Sequence, residues 1–218
     1  MKQISIGLAG PKESGKSTAA NFLVEKFGMV KFSFGDAVKE EVAGITLHGG
    51  DIPVELLDRS KKEPLLEKLV WDLQVARTQK SRKRINIGGE DIEVFTEGFD
   101  PFYKPTGAFC REILKLWGTE FRRSQDDLYW IKPGQKTVSS TISLGFNVVC
   151  DDVRFLNEMF FDTVWYIMND AAFASRGDHP TENSIGPKDC NEVIDNNGPV
   201  SMLYFQINVL MEKFLNGQ

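Results

Sequence analysis

The stretch that most constrains this chain is "GLAGPKESGKST", Gly7 to Thr18. Gly10, Gly15, Lys16 and Ser17 stand at the spacing G-x-x-x-x-G-K-[ST]. Such a loop cradles phosphate in one context only, after a buried strand and at the start of a helix. Both flanks supply that context. Gln3 to Leu8 reads as a short buried strand through Ile4, Ile6 and Leu8. Ser17 to Phe27 reads as a helix, with Ala19, Ala20, Leu23, Val24 and Phe27 at helical spacing. The glycines let the backbone turn so that several N–H groups face one anion. The helix N-terminus adds its dipole. Lys16 then reaches the outer phosphates and Ser17 offers a hydroxyl to magnesium, while Lys12 adds positive charge inside the loop. ATP and Mg2+ are therefore the expected cofactors. The loop says nothing of what receives the phosphate.

The rest of the chain repeats the strand–helix rhythm. Val30 to Phe34 is a second strand and Asp36 to Ala43 begins a helix. "VELLDRSKKEPLLEKLVWDLQVA" is helical in two pieces, broken near Pro64. Arg77 to Pro105 is first basic, then acidic, and reads as an insert, a loop or hairpin between core helices. "GAFCREILKLWGTEFRRS" returns to helix, with a break expected at Gly118 that would keep Arg111 and Arg122 off a common face. "KPGQKTVSSTISLG" is poor in strong helix formers. Phe146 to Asp152 and Thr163 to Met168 are strands, and the last apolar run is a helix. Short strands alternating with helices imply a three-layer α/β/α fold with a mostly parallel central sheet. One domain is expected over residues 1–218, with the insert at about 77–105 and a lid-like segment at about 170–186.

Composition narrows the function. A net charge of -5 disfavours wholesale nucleic-acid binding. The opening residues read as neither a signal peptide nor a membrane span. Cys110, Cys150 and Cys190 are far apart, and with two histidines they make no zinc spacing, so a reducing cytoplasm is the expected compartment.

Phosphoryl transfer also needs carboxylates and cations. Asp151 and Asp152 follow the strand "FNVVC" and read either as metal or substrate ligands or as helix caps. Asp36 follows the second strand and could cap its helix, hold a water on magnesium or face the acceptor. Arg154 is the best-placed arginine. Arg111, Arg122 and Arg123 are further candidates, with surface salt bridging as the alternative. Arg77, Lys80, Arg82, Lys83 and Arg84 read first as a solvated face. Arg176 could come from a lid that keeps water from the γ-phosphate. Neither histidine is a convincing base, His179 included, which leans towards an acceptor that is already a phosphate.

Taken in order, these motifs resemble the deoxynucleoside monophosphate kinases of large tailed bacteriophages, within the nucleoside monophosphate kinase-like group of P-loop enzymes. The resemblance is carried by "GLAGPKESGKSTAANFL", "KFSFGDAVKEEV", "CREILKLWGTEFRRSQDDLYWI", "VVCDDVRFLNE" and "EVIDNNGPVSMLYFQI". It implies a P-loop NTPase fold of the nucleoside monophosphate kinase type and transfer from ATP to a deoxynucleoside monophosphate. The triphosphate loop would be Gly10 to Thr18, with Lys12, Ser14, Gly15, Lys16, Ser17 and Thr18 as contacts. Lys16, Asp152, Arg154 and Arg176 would serve catalysis, and Ser17, Asp151 and Asp152 the metal. Asp36, Lys39, Arg111, Arg122, Asp127 and Trp130 would lie on the acceptor side. Related enzymes often pair, so a homodimer is open. Two features depart from the pattern: the short stretch from Asp152 to Thr163, and the helix-poor run after Lys132. Dephospho-coenzyme A kinases share a P-loop and a late lid, and stay as the alternative. A nucleic-acid-associated ATPase would want a more basic surface. A regulatory nucleotide-binding module would need no acceptor-side arginines.

Overall fold

A computed structural model describes residues 3–53, 64–78, 80–87, 90–97, 108–177 and 183–215. The chain divides into two compact units: Met1–Phe34 with Ile131–Gln218, and Gly35–Trp130.

The first unit is built on five parallel strands. These are β1 (Ser5–Ala9), β2 (Val30–Phe32), β5 (Val148–Cys150), β6 (Thr163–Met168) and β7 (Glu192–Asp195), in the spatial order β2-β5-β1-β6-β7. Every residue of β1 and β5 is buried, as expected of strands covered on both faces. Alternate side chains Ile6, Leu8, Val149, Trp165, Ile167 and Ile194 meet α1 (Lys16–Phe27) and α7 (Val200–Leu215). Those two helices pack through Leu23, Leu203 and Ile207, and Phe22 stacks on Tyr204 with ring centroids 4.1 Å apart. The other face is closed by α5 (Ile131–Ser143) and by the segment after β5.

Two of the departures noted in the sequence have physical explanations here. The run after Lys132 does form a helix, α5, despite its weak formers. Gly134 lets Phe32 and Phe34 lie against it: a Cβ there would come within 2.8 Å of Phe34 Cε1 and 3.1 Å of Phe32 Cζ. Packing thus overrides propensity. The connection from β5 to β6 holds only one 3₁₀ turn, Leu156–Glu158. Phe161 and Val153 pack on β1, where a Cβ on Gly7 would be 2.8 Å and 2.9 Å from them. This is why β1 carries a glycine at its centre.

The second unit holds most of α2 (Phe34–Thr46), α3 (Pro64–Thr78), a hairpin and α4 (Ala108–Lys115). The hairpin is β3 (Lys80–Ile87) against β4 (Glu90–Glu97). Its register sets Lys80 opposite Glu97 and Arg84 opposite Glu93. Arg77, at the end of α3, donates to Ile45 O and Gly50 O, which ties down the end of α2. The break expected at Gly118 is absent. The helix instead widens to a π-helix over Leu116–Arg123. No helix of the described residues is long and apolar enough to cross a membrane.

Candidate active site

The phosphate loop runs between β1 and α1, where three strand ends converge. Gly10 and Gly15 have φ of 137° and 103°, in the region L side chains rarely adopt. Space forbids a side chain as well. A Cβ on Gly10 would lie 2.5 Å from Ile167 O, and one on Gly15 would lie 2.3 Å from Asn196 Nδ2. Glu13, at φ 66°, completes the turn. Lys16 Nζ folds back over the loop, donating to Gly10 O at 2.8 Å and Pro11 O at 2.5 Å. The Ser14 hydroxyl is fully buried and its oxygen has no hydrogen-bond partner. Glycines that admit no side chain, an ammonium over the turn and a buried unpaired hydroxyl fit a phosphate cradle. Ser17 and Thr18 follow it and are exposed. Lys12 pairs instead with its exposed neighbour Glu13, at 3.0 Å.

Asn196 was not singled out from the sequence, although "IDNNG" held the signal. It sits just past β7 and donates through Nδ2 to Ser14 O at 2.8 Å. Its own backbone is fixed by Met168 O, which accepts its N–H at 2.7 Å, and by Asn169 Nδ2 on its carbonyl at 2.8 Å. Asn169 also caps the short helix α6 (Asp170–Ala174). The ends of β6 and β7 therefore brace the loop.

The two aspartates after β5 part company. Asp151 Oδ2 accepts from Ser17 Oγ at 3.3 Å and pairs with Lys31 Nζ of β2 at 2.6 Å. Two oxygens at that separation suit adjacent positions on an octahedral magnesium, which needs them about 3 Å apart. Asp152 accepts from Ser33 Oγ at 2.9 Å, Phe34 N at 3.0 Å and Cys150 Sγ at 3.3 Å. Its carboxylate thus caps the start of α2, a helix far back in the sequence, and not a helix following its own strand. Burial, then the Asp152 charge, holds the Cys150 thiol well above its ordinary pKa.

Arg154 is exposed, and its backbone is set by a residue with no role assigned from the sequence. Glu158 is buried and accepts from Arg154 N at 2.6 Å and Phe155 N at 3.1 Å. Arg176 is exposed and lies over the Phe173 ring, 3.6 Å from its centroid. Residues 178–182 of the lid-like segment, His179 among them, lie outside the described residues.

The acceptor-side candidates all belong to the second unit. Asp36 and Lys39 pair with each other at 2.6 Å in the first turns of α2. Arg111 and Asp127 are exposed. Trp130 is buried and its Nε1 donates to Gly118 O at 3.0 Å, so its indole N–H anchors the widened helix. Arg122 has the most elaborate setting. Its Nε donates to Glu41 Oε2 at 3.0 Å, and its Cζ lies 4.9, 4.8 and 4.9 Å from the ring centroids of Trp117, Phe121 and Tyr129. Glu41 also accepts from Trp117 Nε1 at 2.9 Å and Tyr129 OH at 2.6 Å. Burial and the Glu41 carboxylate push the Tyr129 phenol up to about 12. Among the described residues no cluster of three or more His, Cys, Asp or Glu could hold a metal by itself.

No protein-family model and no curated protein matches the chain. Among the solved structures similar to it, two align across 98% of both chains. One is TT1252 from Thermus thermophilus, at 14% identity and a TM-score of 0.46. The other is a dephospho-CoA kinase from Campylobacter jejuni, at 11% identity and a TM-score of 0.41. The strand order and the loop it carries, not these likenesses, assign the α/β architecture.

Proposed function

We propose that this chain is an ATP-dependent small-molecule kinase. The observation that carries the reading is the Ser17–Asp151 contact. It brings a strand-end carboxylate to the hydroxyl that follows the loop lysine, 3.3 Å away. Magnesium bound there by Ser17 and Asp151 would neutralise charge developing on the transferring phosphates. The protein's own groups supply the rest. Loop N–H groups orient the triphosphate, and Lys16 exchanges its carbonyl partners for phosphate oxygens. Arg154 and Arg176, both exposed, are the cations available to the transferring group. Asp152 acts through the α2 terminus that it caps.

The acceptor is read as a deoxynucleoside monophosphate on the motif resemblance. Dephospho-CoA is the second reading, because dephospho-coenzyme A kinases share a P-loop and a late lid. The test is ADP formation from ATP and Mg2+ with each ribo- and deoxynucleoside monophosphate, dephospho-CoA and nucleic acid. Stimulation by a monophosphate supports the first acceptor, and stimulation by dephospho-CoA alone supports the second. Stimulation by nucleic acid alone would sink both.

A further inference from the structure

We infer that Glu41 positions Arg122, and that the pair forms an anion-binding fork in the Gly35–Trp130 unit that takes the phosphate of the acceptor. This rests on the kinase reading above. Three donors converge on the one Glu41 carboxylate: the Trp117 indole, the Arg122 Nε and the Tyr129 hydroxyl. Two of them, Trp117 and Tyr129, are also walls of the cage around the guanidinium. The carboxylate therefore fixes both the arginine and the rings that hold it. Among the described residues Arg122 meets a carboxylate only through Nε. A bidentate arginine–carboxylate pair would use two parallel N–H bonds. Here the terminal edge, Nη1 with Nη2, is left as the fork, on a side chain 19% exposed. That edge matches the spacing of two oxygens on a phosphate.

The widened helix makes this possible. In an α-helix, five residues advance about 140° beyond a full turn, which would send Arg122 to the far side from Trp117. In an i→i+5 helix, residue i+5 lies roughly above residue i. The π-helix over Leu116–Arg123 thus stacks Arg122 on Trp117 and beside Phe121. Trp130 Nε1 secures the Gly118 carbonyl of the same widened stretch. A π-helix is uncommon and tends to occur at functional sites. A preorganised, aromatic-walled guanidinium loses little entropy on binding, so its affinity goes into recognition.

The experiment is calorimetric titration of the full chain with each deoxynucleoside monophosphate, dephospho-CoA and inorganic phosphate, and separately with ATP. Wild type, Arg122→Met, Arg122→Lys, Glu41→Gln and the Glu41→Gln/Arg122→Met double variant are compared. Arg122→Met and Glu41→Gln are expected to weaken monophosphate binding by about 10- to 100-fold, the range for one charged hydrogen bond. ATP affinity should stay within about twofold of wild type. Arg122→Lys keeps the charge but not the fork and should not restore binding. The double variant should bind no worse than Arg122→Met, because Glu41 acts through Arg122. If Glu41→Gln does not fold, Tyr129→Phe, which removes one donor to Glu41, is expected to weaken monophosphate binding in the same direction. Unchanged monophosphate binding in Arg122→Met, equal losses for ATP and monophosphate, or a wild type that binds none of these ligands would overturn the inference. If monophosphates bind but stimulate no turnover, the kinase reading fails while the fork stands.

Discussion

Removing the Asn196 side chain tests how the phosphate loop is held. Asn196→Ala deletes one hydrogen bond, Nδ2 to Ser14 O at 2.8 Å, and keeps the backbone bonds to Met168 and Asn169. Ser14 is fully buried, so its carbonyl loses a partner that water cannot readily replace. That costs about 1–3 kcal/mol, or a fall in Tm of about 2–4 °C per kcal/mol for a chain of this length. Gly15→Ala should cost at least as much, for two separable reasons. Its φ of 103° strains any side chain, and its Cβ would lie 2.3 Å from Asn196 Nδ2. The strain alone is about 1–3 kcal/mol. In the double variant the clash is gone and the strain remains. The two changes should therefore be less than additive by about 1 kcal/mol or more. Thermal denaturation of the four proteins gives the cycle, and calorimetry with ATP shows whether loop order and affinity fall together. Strict additivity, or an Asn196→Ala protein with wild-type Tm and ATP affinity, would refute the bracing argument.

Other outcomes follow from the same geometry. Lys16→Met should stay folded and lose at least about 100-fold in turnover, as expected for one preorganised cation at the transferring phosphates; ADP assays and circular dichroism check this. Asp151→Asn should raise the Mg2+ needed for half-maximal activity and also lower Tm through the lost Lys31 pair. Asp152→Asn should chiefly lower stability, by about 1–3 kcal/mol for a weakened cap at Ser33 and Phe34, so the Mg2+ requirement should separate the two single variants. Tyr129 should be among the last tyrosines to ionise, near pH 12, against about 10 unfolded. Because its folded pKa is raised, the stability it brings is complete below pH 10 and is lost as pH climbs towards 12. Difference absorbance against Tyr129→Phe reads this directly, and ionisation near pH 10 would contradict the Glu41 contact.

Much of the first unit was legible because its signals are local. The loop glycines, the apolar strands and the α1 face all announce themselves within a dozen residues. What could not be read depends on distant partners. The run around Asn196 marks a turn after a strand, but its partner, the Ser14 carbonyl, lies far back in the sequence. The adjacent aspartates look equivalent until Ser17 and Lys31 claim one, and Ser33 and Phe34 the other. The helix of α5 was obscured because Gly134 is a poor helix former, yet two phenylalanine rings require it. Gly118 looked like a breaker for a similar reason. Its carbonyl is instead taken up by Trp130, and the turn widens without stopping. The sequence offers Arg122 through its residue type and the motif it stands in. The carboxylate and the three rings that orient it lie on residues that periodicity reads as an ordinary helix face.

The most direct test of the central claim follows the phosphoryl group itself. ATP labelled in its γ-phosphate is incubated with the chain, Mg2+ and each candidate acceptor, and products are separated. The kinase reading predicts label in a deoxynucleoside monophosphate or in dephospho-CoA, with ADP formed one for one and none of either with Lys16→Met. Label released only as free phosphate, at the same rate with and without every acceptor, would contradict it.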